Sequence, residues 1–254
     1  MNKGAVTLAV LSLLLVPAKP ASSQQDSLPV VRIGFVQDGP HEDNVEFLET
    51  YALEIRAVLE GEFDVRFPPE KRREADHTLA GVARVMSEML ADPEVDLLIT
   101  GGPLASYEAT RRGPLPKPTI APFVMDPDVM GLPLVDGTSG VPNLTYVALA
   151  TEVTRDFQAF REMVPFETLT VLGNPRWAEA IPAMTLGAEE AARRLGVELD
   201  LIPVDTPIDS ALQAIPSDAE AVYVTPLMHL AREEWDRLVS ELNRRGLPTF
   251  SMLG

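Results

Sequence analysis

Short apolar runs alternate with segments of helical periodicity from Val30 to the end of the chain. The first run, Val30–Val36, reads VVRIGFV, and in the next segment, Asn44–Glu60, apolar residues recur every three or four positions. Strands and helices that alternate in this way predict parallel sheets with helices on both faces. The sequence therefore indicates an α/β protein with doubly wound parallel sheets.

The remaining predicted elements form two groups. Before residue 126 we expect strands at Phe63–Phe67, Val95–Thr100 and Thr119–Met125 and helices at Leu79–Leu90 and Ala105–Arg111. After residue 150 we expect helices at Val153–Met163, Ile181–Leu195, Ser210–Ile215 and Leu230–Arg245 and strands at Leu169–Leu172, Val197–Val204, Ala221–Val224 and Pro248–Met252. Asp43 and Glu46 predict a capping box for the first helix, and Gly61, Gly196 and Gly246 predict three helix ends.

The stretch between these groups predicts a division into two lobes. Residues 24–126 form lobe one, residues 127–150 form a helix-free hinge crossing, and residues 151–254 form lobe two. The alternative is one continuous sheet with a long functional loop, but loops of this length are uncommon inside a compact domain. Residues 248–254 either begin a return to lobe one or form a final edge strand. Because no helix follows them, we expect a C-terminal part of the fold to be missing.

The N-terminus has the features of a secretory signal peptide. Met1–Lys3 is positively charged, Ala5–Val16 is mostly apolar, and the small residues Ala21–Ser23 provide a cleavage site. The apolar run is too short for a membrane span, which needs about 20 residues. We therefore expect cleavage of residues 1–23 and a periplasmic protein with no membrane span after cleavage.

Charge and cysteine content exclude several kinds of partner and site. The net charge is −17, and cleavage would remove Lys3 and Lys19 but no acidic residue. Such a chain repels nucleic acids and anionic membrane surfaces. It has no cysteine, which excludes disulfides, thiol catalysis and cysteine-ligated metals.

The candidate ligand-binding residues follow the predicted strands. Ligands of open parallel sheets bind beyond the carboxyl ends of the strands. The residues at these positions are Asp38, Gly39, Gly101, Gly102, Ser106, Asp126 and Pro127 in lobe one and Asn174, Arg176, Trp177 and Thr225 in lobe two.

These residue types suit a small polar or zwitterionic ligand. Asp38 and Asp126 can accept from an ammonium group, while Arg176 and the backbone amides at helix N-termini can bind a carboxylate. Trp177 can stack on a flat ligand. Taken singly, each residue is more often a turn or packing residue, since Asp-Gly and Asp-Pro are common turn dipeptides.

No set of catalytic or metal-binding residues is evident. The three histidines, His41, His77 and His229, fit no metal-ligand spacing, and the G-x-S-x-G nucleophile motif is absent. The sequence therefore predicts a binding cleft without a catalyst, and we expect no enzyme activity, no cofactor and no metal.

Five stretches, in order, resemble ABC-transporter substrate-binding proteins of the type I periplasmic-binding fold, in the branch that includes tryptophan and other amino-acid binders. They read VRIGFVQDGP, LLITGGPLASYEATRRGPLPKPTIAPFVMDPDVMGLP, GVPNLTYVA, FREMVPFETLTVLGNP and ELNRRGLPTFS, and together they span about residues 31–251. The chain departs from the family pattern at Gly102-Pro103, at Asp128 and at Gly140–Asn143, all at the expected cleft and hinge. The resemblance therefore implies the fold and does not name the ligand.

The resemblance implies a periplasmic solute-binding protein that presents its ligand to an inner-membrane ABC permease. Asp126 would end the last strand of lobe one and face the cleft, and the loop after it would be the first hinge crossing. Family members continue past the position of Gly254, which agrees with a missing C-terminal part. The alternatives are a periplasmic sensory module and an exported enzyme. A DNA-binding regulator is disfavoured by the signal peptide and the negative charge.

Overall fold

The computed structural model describes residues 28–149 and 153–251 and shows two parallel β-sheets with helices on both faces. This confirms the predicted fold class of two doubly wound lobes. The predicted signal peptide, at residues 1–23, lies outside the described residues. In the described ranges no helix combines the length and the apolar character that a membrane crossing requires.

The first sheet has the strand order β2-β1-β4-β5-β6, and β3 also pairs with β1. Its strands are β1 (Val30–Gln37), β2 (Asp64–Arg66), β3 (Arg72–Glu74), β4 (Leu97–Thr100), β5 (Thr119–Met125) and β6 (Leu144–Leu149). Its helices are α1 (Asn44–Val58), α2 (Leu79–Ala91) and α3 (Pro103–Arg111), and a single 3-10 turn occupies Pro69–Lys71.

The second sheet has the order β10-β9-β7-β8. Its strands are β7 (Thr168–Gly173), β8 (Glu198–Pro203), β9 (Ala221–Val224) and β10 (Thr249–Ser251). Its helices are α4 (Val153–Met163), α5 (Pro175–Ala180), α6 (Pro182–Leu195), α7 (Asp209–Ala214) and α8 (Arg232–Arg244).

Each sheet has one apolar core on each face, because successive side chains of a strand point to opposite sides. In β1, Phe35 packs towards α1, whereas Val36 packs in the core that contains α2 and α3. In β9, Tyr223 packs with α4 and α6, whereas Val224 packs with α7 and α8. The central strands β1 and β9 are therefore buried on both faces, as the continuous apolar runs of the sequence predict.

Strand β6 was not predicted and changes the boundary of the first lobe. Residues 144–149, assigned by the sequence to the hinge crossing, pair with β5 in parallel. The prediction that β5 is the last strand of lobe one is therefore wrong, since β6 forms the sheet edge outside it. The sequence gives a weak signal here, because LTYVAL follows a loop rich in glycine and proline and its apolar residues do not alternate strictly. The connection from β6 to α4 falls at residues 150–152, outside the described ranges.

The long loop before β6 folds against lobe one instead of leaving it. The Tyr146 hydroxyl donates to the Pro133 carbonyl at 2.8 Å, which ties the loop to β6. Met130 and Leu132 pack against the core that contains α2 and α3. A Cβ atom at Gly187 of α6 would lie 3.1 Å from the Val129 side chain, so the tip of the loop lies beside the second lobe.

The predicted helix ends are confirmed in part. Gly196 closes α6 in the left-handed conformation (φ 64°), and Gly246 (φ 68°) follows the end of α8. The predicted capping box of α1 is wrong, because Asp43 has helical backbone angles and its side chain makes no capping hydrogen bond. Gly61 also does not end α1, which finishes at Val58 with Leu59 as its C-cap.

Candidate functional site

A cavity of about 330 Å³ lies where the carboxyl ends of strands from both sheets meet. Lobe one contributes Met125 and Asp126, at the end of β5, and Val129 from the loop that follows. Lobe two contributes residues at the ends of β7, β8 and β9, together with parts of α4, α5 and α6. Ligand sites of open parallel sheets lie at this edge, so the cavity is the candidate binding site.

Most of the cavity wall is apolar. Phe157 of α4, Trp177 of α5 and Met184 of α6 line it, and Trp177 is only 6% exposed. Trp177 also belongs to the core cluster of lobe one, so the two lobes are packed together at this point. An apolar wall of this kind buries the hydrocarbon part of a ligand.

Tyr223 forms part of the wall and is held by a hydrogen bond to α4. Its hydroxyl donates to Asp156 Oδ2 at 2.8 Å. Burial raises the pKa of Tyr223, and the hydrogen bond to Asp156 raises it further. The phenol therefore stays protonated and its one donor is already engaged.

Asp126 is the only charged residue among the described residues that line the cavity. Its backbone has a positive φ of 31°, and its Oδ1 atom accepts from the Val129 amide at 3.0 Å. Together these features fix the carboxylate in a tight turn directly after β5.

Three more of the predicted residues line the cavity: Asn174, Trp177 and Thr225. Asn174 is buried, and its side-chain oxygen caps α5 by accepting from the Arg176 amide at 3.0 Å. The Thr225 hydroxyl donates to the Leu172 carbonyl at 3.2 Å. With Asp126, four of the eleven predicted residues therefore meet at one cavity.

Asp38 instead caps a helix inside lobe one. Its Oδ2 and Oδ1 atoms accept from the Leu104 and Ala105 amides at 2.9 and 2.8 Å. The amides at the N-terminus of α3, predicted to be available for a ligand carboxylate, are thus bound by a protein carboxylate. Burial raises the pKa of Asp38 to about 6, although the two amide hydrogen bonds act in the opposite direction.

The predicted glycines of lobe one allow close approaches around Asp38. A Cβ atom at Gly102 would overlap with the Asp38 carboxylate, and one at Gly101 would overlap with the Phe35 ring. A Cβ atom at Gly39 would overlap with the His77 ring. None of these three glycines lines the cavity.

Ser106, Pro127 and Arg176 also lie away from the cavity wall. Ser106 Oγ lies 2.8 Å from Thr100 Oγ1 and accepts from the Phe123 amide at 3.2 Å, so it joins α3 to β4 and β5. Arg176 forms an ion pair with Asp205 at 3.3 Å. Its guanidinium is therefore engaged within lobe two.

A second, smaller cavity of about 220 Å³ lies between the lobes. His41 and Glu42 line it from lobe one, while Thr225, Arg232 and Trp235 line it from lobe two. Across it, Arg232 Nε and Glu42 Oε1 form an ion pair at 2.8 Å. The sequence did not predict this contact, since the two residues are 190 positions apart and neither stands directly after a strand.

Two histidines make contacts that the sequence did not predict. His77 Nε2 lies 3.1 Å from the Pro40 carbonyl, and His229 Nε2 lies 2.9 Å from the Val204 carbonyl. Burial lowers the pKa of both, and the nearby Arg176 adds to this effect. Within the described part of the chain, no group of three or more potential ligands is arranged to hold a metal ion.

Sequence comparison finds no relative, whereas structural comparison finds many. No protein-family model matches the chain, and a search of curated proteins gives no match. Among solved structures, a conserved domain protein from Vibrio cholerae aligns with a TM-score of 0.67 and 18% identity, over 87% of this chain and 73% of the other.

Two further structures bind amino acids. An ABC domain in complex with L-Trp from Streptococcus pneumoniae aligns with a TM-score of 0.62 and 16% identity, over 87% of this chain and 73% of the other. A branched-chain amino acid ABC transporter from Thermus thermophilus with bound valine aligns with a TM-score of 0.61 and 15% identity, over 88% and 58%. Similarity at this level of identity establishes the fold. The chain therefore has the type I periplasmic-binding fold that ABC-transporter substrate-binding proteins share.

Proposed function

We propose that this chain is the periplasmic solute-binding component of an ABC uptake system. The observation that carries the proposal is a mostly apolar cavity built by both lobes at the carboxyl ends of their strands, with one carboxylate in its wall. Its volume, about 330 Å³, falls in the range of small-molecule sites. The fold and the signal-peptide pattern of residues 1–23 support export and presentation of the ligand to an inner-membrane permease.

In this proposal Asp126, Asn174, Trp177 and Thr225 contact the ligand directly. The other predicted residues support the site: Asp38 with its neighbouring glycines fixes the turn before α3, and Arg176 is held by Asp205. Residues 144–149, expected in the hinge crossing, pair with β5 in the sheet of lobe one, so in this proposal they move with lobe one.

A binding role without catalysis is supported by the chemistry of the wall. The described lining residues include no histidine, lysine or serine, and the Tyr223 hydroxyl is engaged by Asp156. No nucleophile with an adjacent base is therefore assembled there. An amino-acid-like ligand, expected from the sequence, is supported in its ammonium and apolar parts by Asp126 and the apolar wall.

A thermal melt of the purified chain against a panel of amino acids, amines, organic acids and sugars tests this function. A ligand at a hundredfold over its dissociation constant adds about 2.7 kcal/mol of stability. For a chain of this size we expect a rise in melting temperature of roughly 5–10 °C. A cooperative melt that no compound shifts, together with turnover of any of them, would contradict a solute-binding role.

A further inference from the structure

The charges around the larger cavity, which Asp126 lines, restrict the class of ligand more narrowly than the fold does. Among its described lining residues, Asp126 is acidic and none is basic. A ligand carboxylate placed there would lose its hydration without gaining a cationic partner, and Asp126 would repel it. A ligand ammonium group would instead meet an opposite charge.

The groups expected to bind a ligand carboxylate are engaged elsewhere. The amides of Leu104 and Ala105 donate to Asp38, and the Arg176 guanidinium pairs with Asp205. None of these groups is among the described residues that line the cavity. Releasing the two amides would leave the Asp38 carboxylate without its hydrogen bonds, and Arg176, which pairs with the exposed Asp205, does not line the cavity. The cavity wall is therefore not preorganised for an acidic ligand.

Asp126 is positioned to receive a cation. Its Oδ1 atom is occupied by the Val129 amide, and within the described ranges no lysine or arginine forms an ion pair with its carboxylate. The turn holds this carboxylate beside an apolar wall that includes Phe157, Trp177 and Met184. A charge-assisted hydrogen bond at one end and apolar burial along the rest define the complementary ligand.

We propose that the ligand is an apolar primary amine without a carboxylate, with its ammonium group on Asp126 and its hydrocarbon body against the wall of α4, α5 and α6. This inference rests on the proposed solute-binding function and names the ligand class for the same cavity. It departs from the zwitterionic ligand expected from the sequence.

Matched compounds test the proposal by isothermal titration calorimetry. Phenethylamine, phenylalanine and 3-phenylpropionate share the ring and the chain and differ in charged groups, as do isopentylamine, leucine and 4-methylpentanoate. We expect an amine to bind at least about tenfold more tightly than its amino acid, and the acid to bind least. An amino acid that binds as tightly as its amine would overturn the amine proposal and leave the solute-binding function intact. Failure of all six, with no stabilisation by any compound of the melting panel, would overturn both.

The charge of Asp126 is tested by Asp126→Asn. The asparagine keeps the side-chain oxygen that accepts from Val129 and tolerates the positive φ, so the turn is preserved. Loss of a charged partner weakens amine binding by about ten- to hundredfold. The control is Asp128→Asn, which removes an equal charge at an exposed position of the same loop that does not line the cavity. Equal affinity of D126N and D128N for the amine, at equal melting temperatures, would overturn the proposal.

Discussion

Asp38 and Asp126 both stand directly after strands of the first sheet, yet their carboxylates have different partners. Asp38 accepts hydrogen bonds from two backbone amides of α3. One oxygen of Asp126 accepts a hydrogen bond from the Val129 amide, beside the larger cavity. The sequence predicted a ligand-binding role for both, because position after a strand does not show which neighbours a side chain meets. The helix that follows β4 places its amides at Asp38, and this depends on the tertiary packing of β1 against β4.

Asp38→Ala is expected to destabilise the chain by about 1–3 kcal/mol, because the buried amides of Leu104 and Ala105 lose their acceptor. Urea denaturation at pH 7 measures the change in unfolding free energy. The control is Asp43→Ala, since Asp43 stands before α1 but makes no side-chain capping hydrogen bond. Equal stability of the two variants would show that the Asp38 hydrogen bonds contribute nothing.

The pH dependence of stability tests the environment of Asp38. Its pKa is about 6 in the folded chain, above the ordinary value of 3.8. Between these values the folded chain holds a proton that the unfolded chain has lost, so this contribution to stability is lost as pH rises through 6. The stability of the wild type relative to Asp38→Asn, which does not titrate, is therefore expected to be larger at pH 5 than at pH 7. A difference that is larger at pH 7 would mean that the amide hydrogen bonds outweigh burial.

At the scale of elements, the turns between strand and helix explain why glycine occurs where it does. Gly102 precedes Pro103 at the start of α3, and Gly173 precedes the capping residue of α5. A Cβ atom at Gly102 would overlap with the Asp38 carboxylate, whereas one at Gly173 would meet no atom within 4 Å. The two glycines therefore differ in packing, although their sequence contexts are similar.

Gly102→Ala is expected to destabilise the chain, because the added methyl group displaces the Asp38 carboxylate from the amides of α3. Gly173→Ala is expected to leave stability within about 0.5 kcal/mol of the wild type, as for substitutions away from special packing. Thermal melts without ligand compare the two variants. Melting of both variants at the wild-type temperature would contradict the overlap between an alanine at position 102 and the Asp38 carboxylate.

Most elements were predicted within two residues, including the edge strands β2, β8 and β10, whereas β6, the short strand β3 and the short helix α5 were missed. Strands β5 and β9 and helix α4 begin and end where the sequence predicted, since continuous apolar runs and helical periodicity report burial. Strand β6 was missed because LTYVAL follows a loop rich in glycine and proline and its apolar residues do not alternate strictly. The cavity was predicted in part: Asp126 and Asn174 follow strands, but the contributions of Phe157 and Met184 come from helix packing that a sequence does not show.

At the scale of the whole molecule, the ion pair between Arg232 and Glu42 joins the two lobes across the smaller cavity. Both side chains are at least half exposed, so salt screens the attraction between them. The pair joins residues of different lobes. We therefore expect its loss to change ligand binding, which needs both lobes, more than the stability of either lobe.

Glu42→Arg is expected to weaken ligand binding, because two positive charges would then face each other across the cleft. The double variant Glu42→Arg with Arg232→Glu restores opposite charges and is expected to recover most of the affinity, measured by calorimetry at low salt. Asp64→Arg is the control, since Asp64 pairs with Arg66 within lobe one. Equal loss of affinity in the single and double variants would contradict a role for the pair across the lobes.

The two tryptophans of the chain allow the most direct test of ligand binding in the larger cavity. Trp177 lines the larger cavity and Trp235 the smaller one, so Trp235→Phe leaves Trp177 as the single reporter. The measurement is the fluorescence of this variant during titration with the compound that most raises the melting temperature. We predict a saturable change that is lost when the exposed lining residue Ala178 is also replaced by Phe. Stabilisation by the compound without a saturable change at Trp177, or with one that Ala178→Phe leaves intact, would contradict the claim.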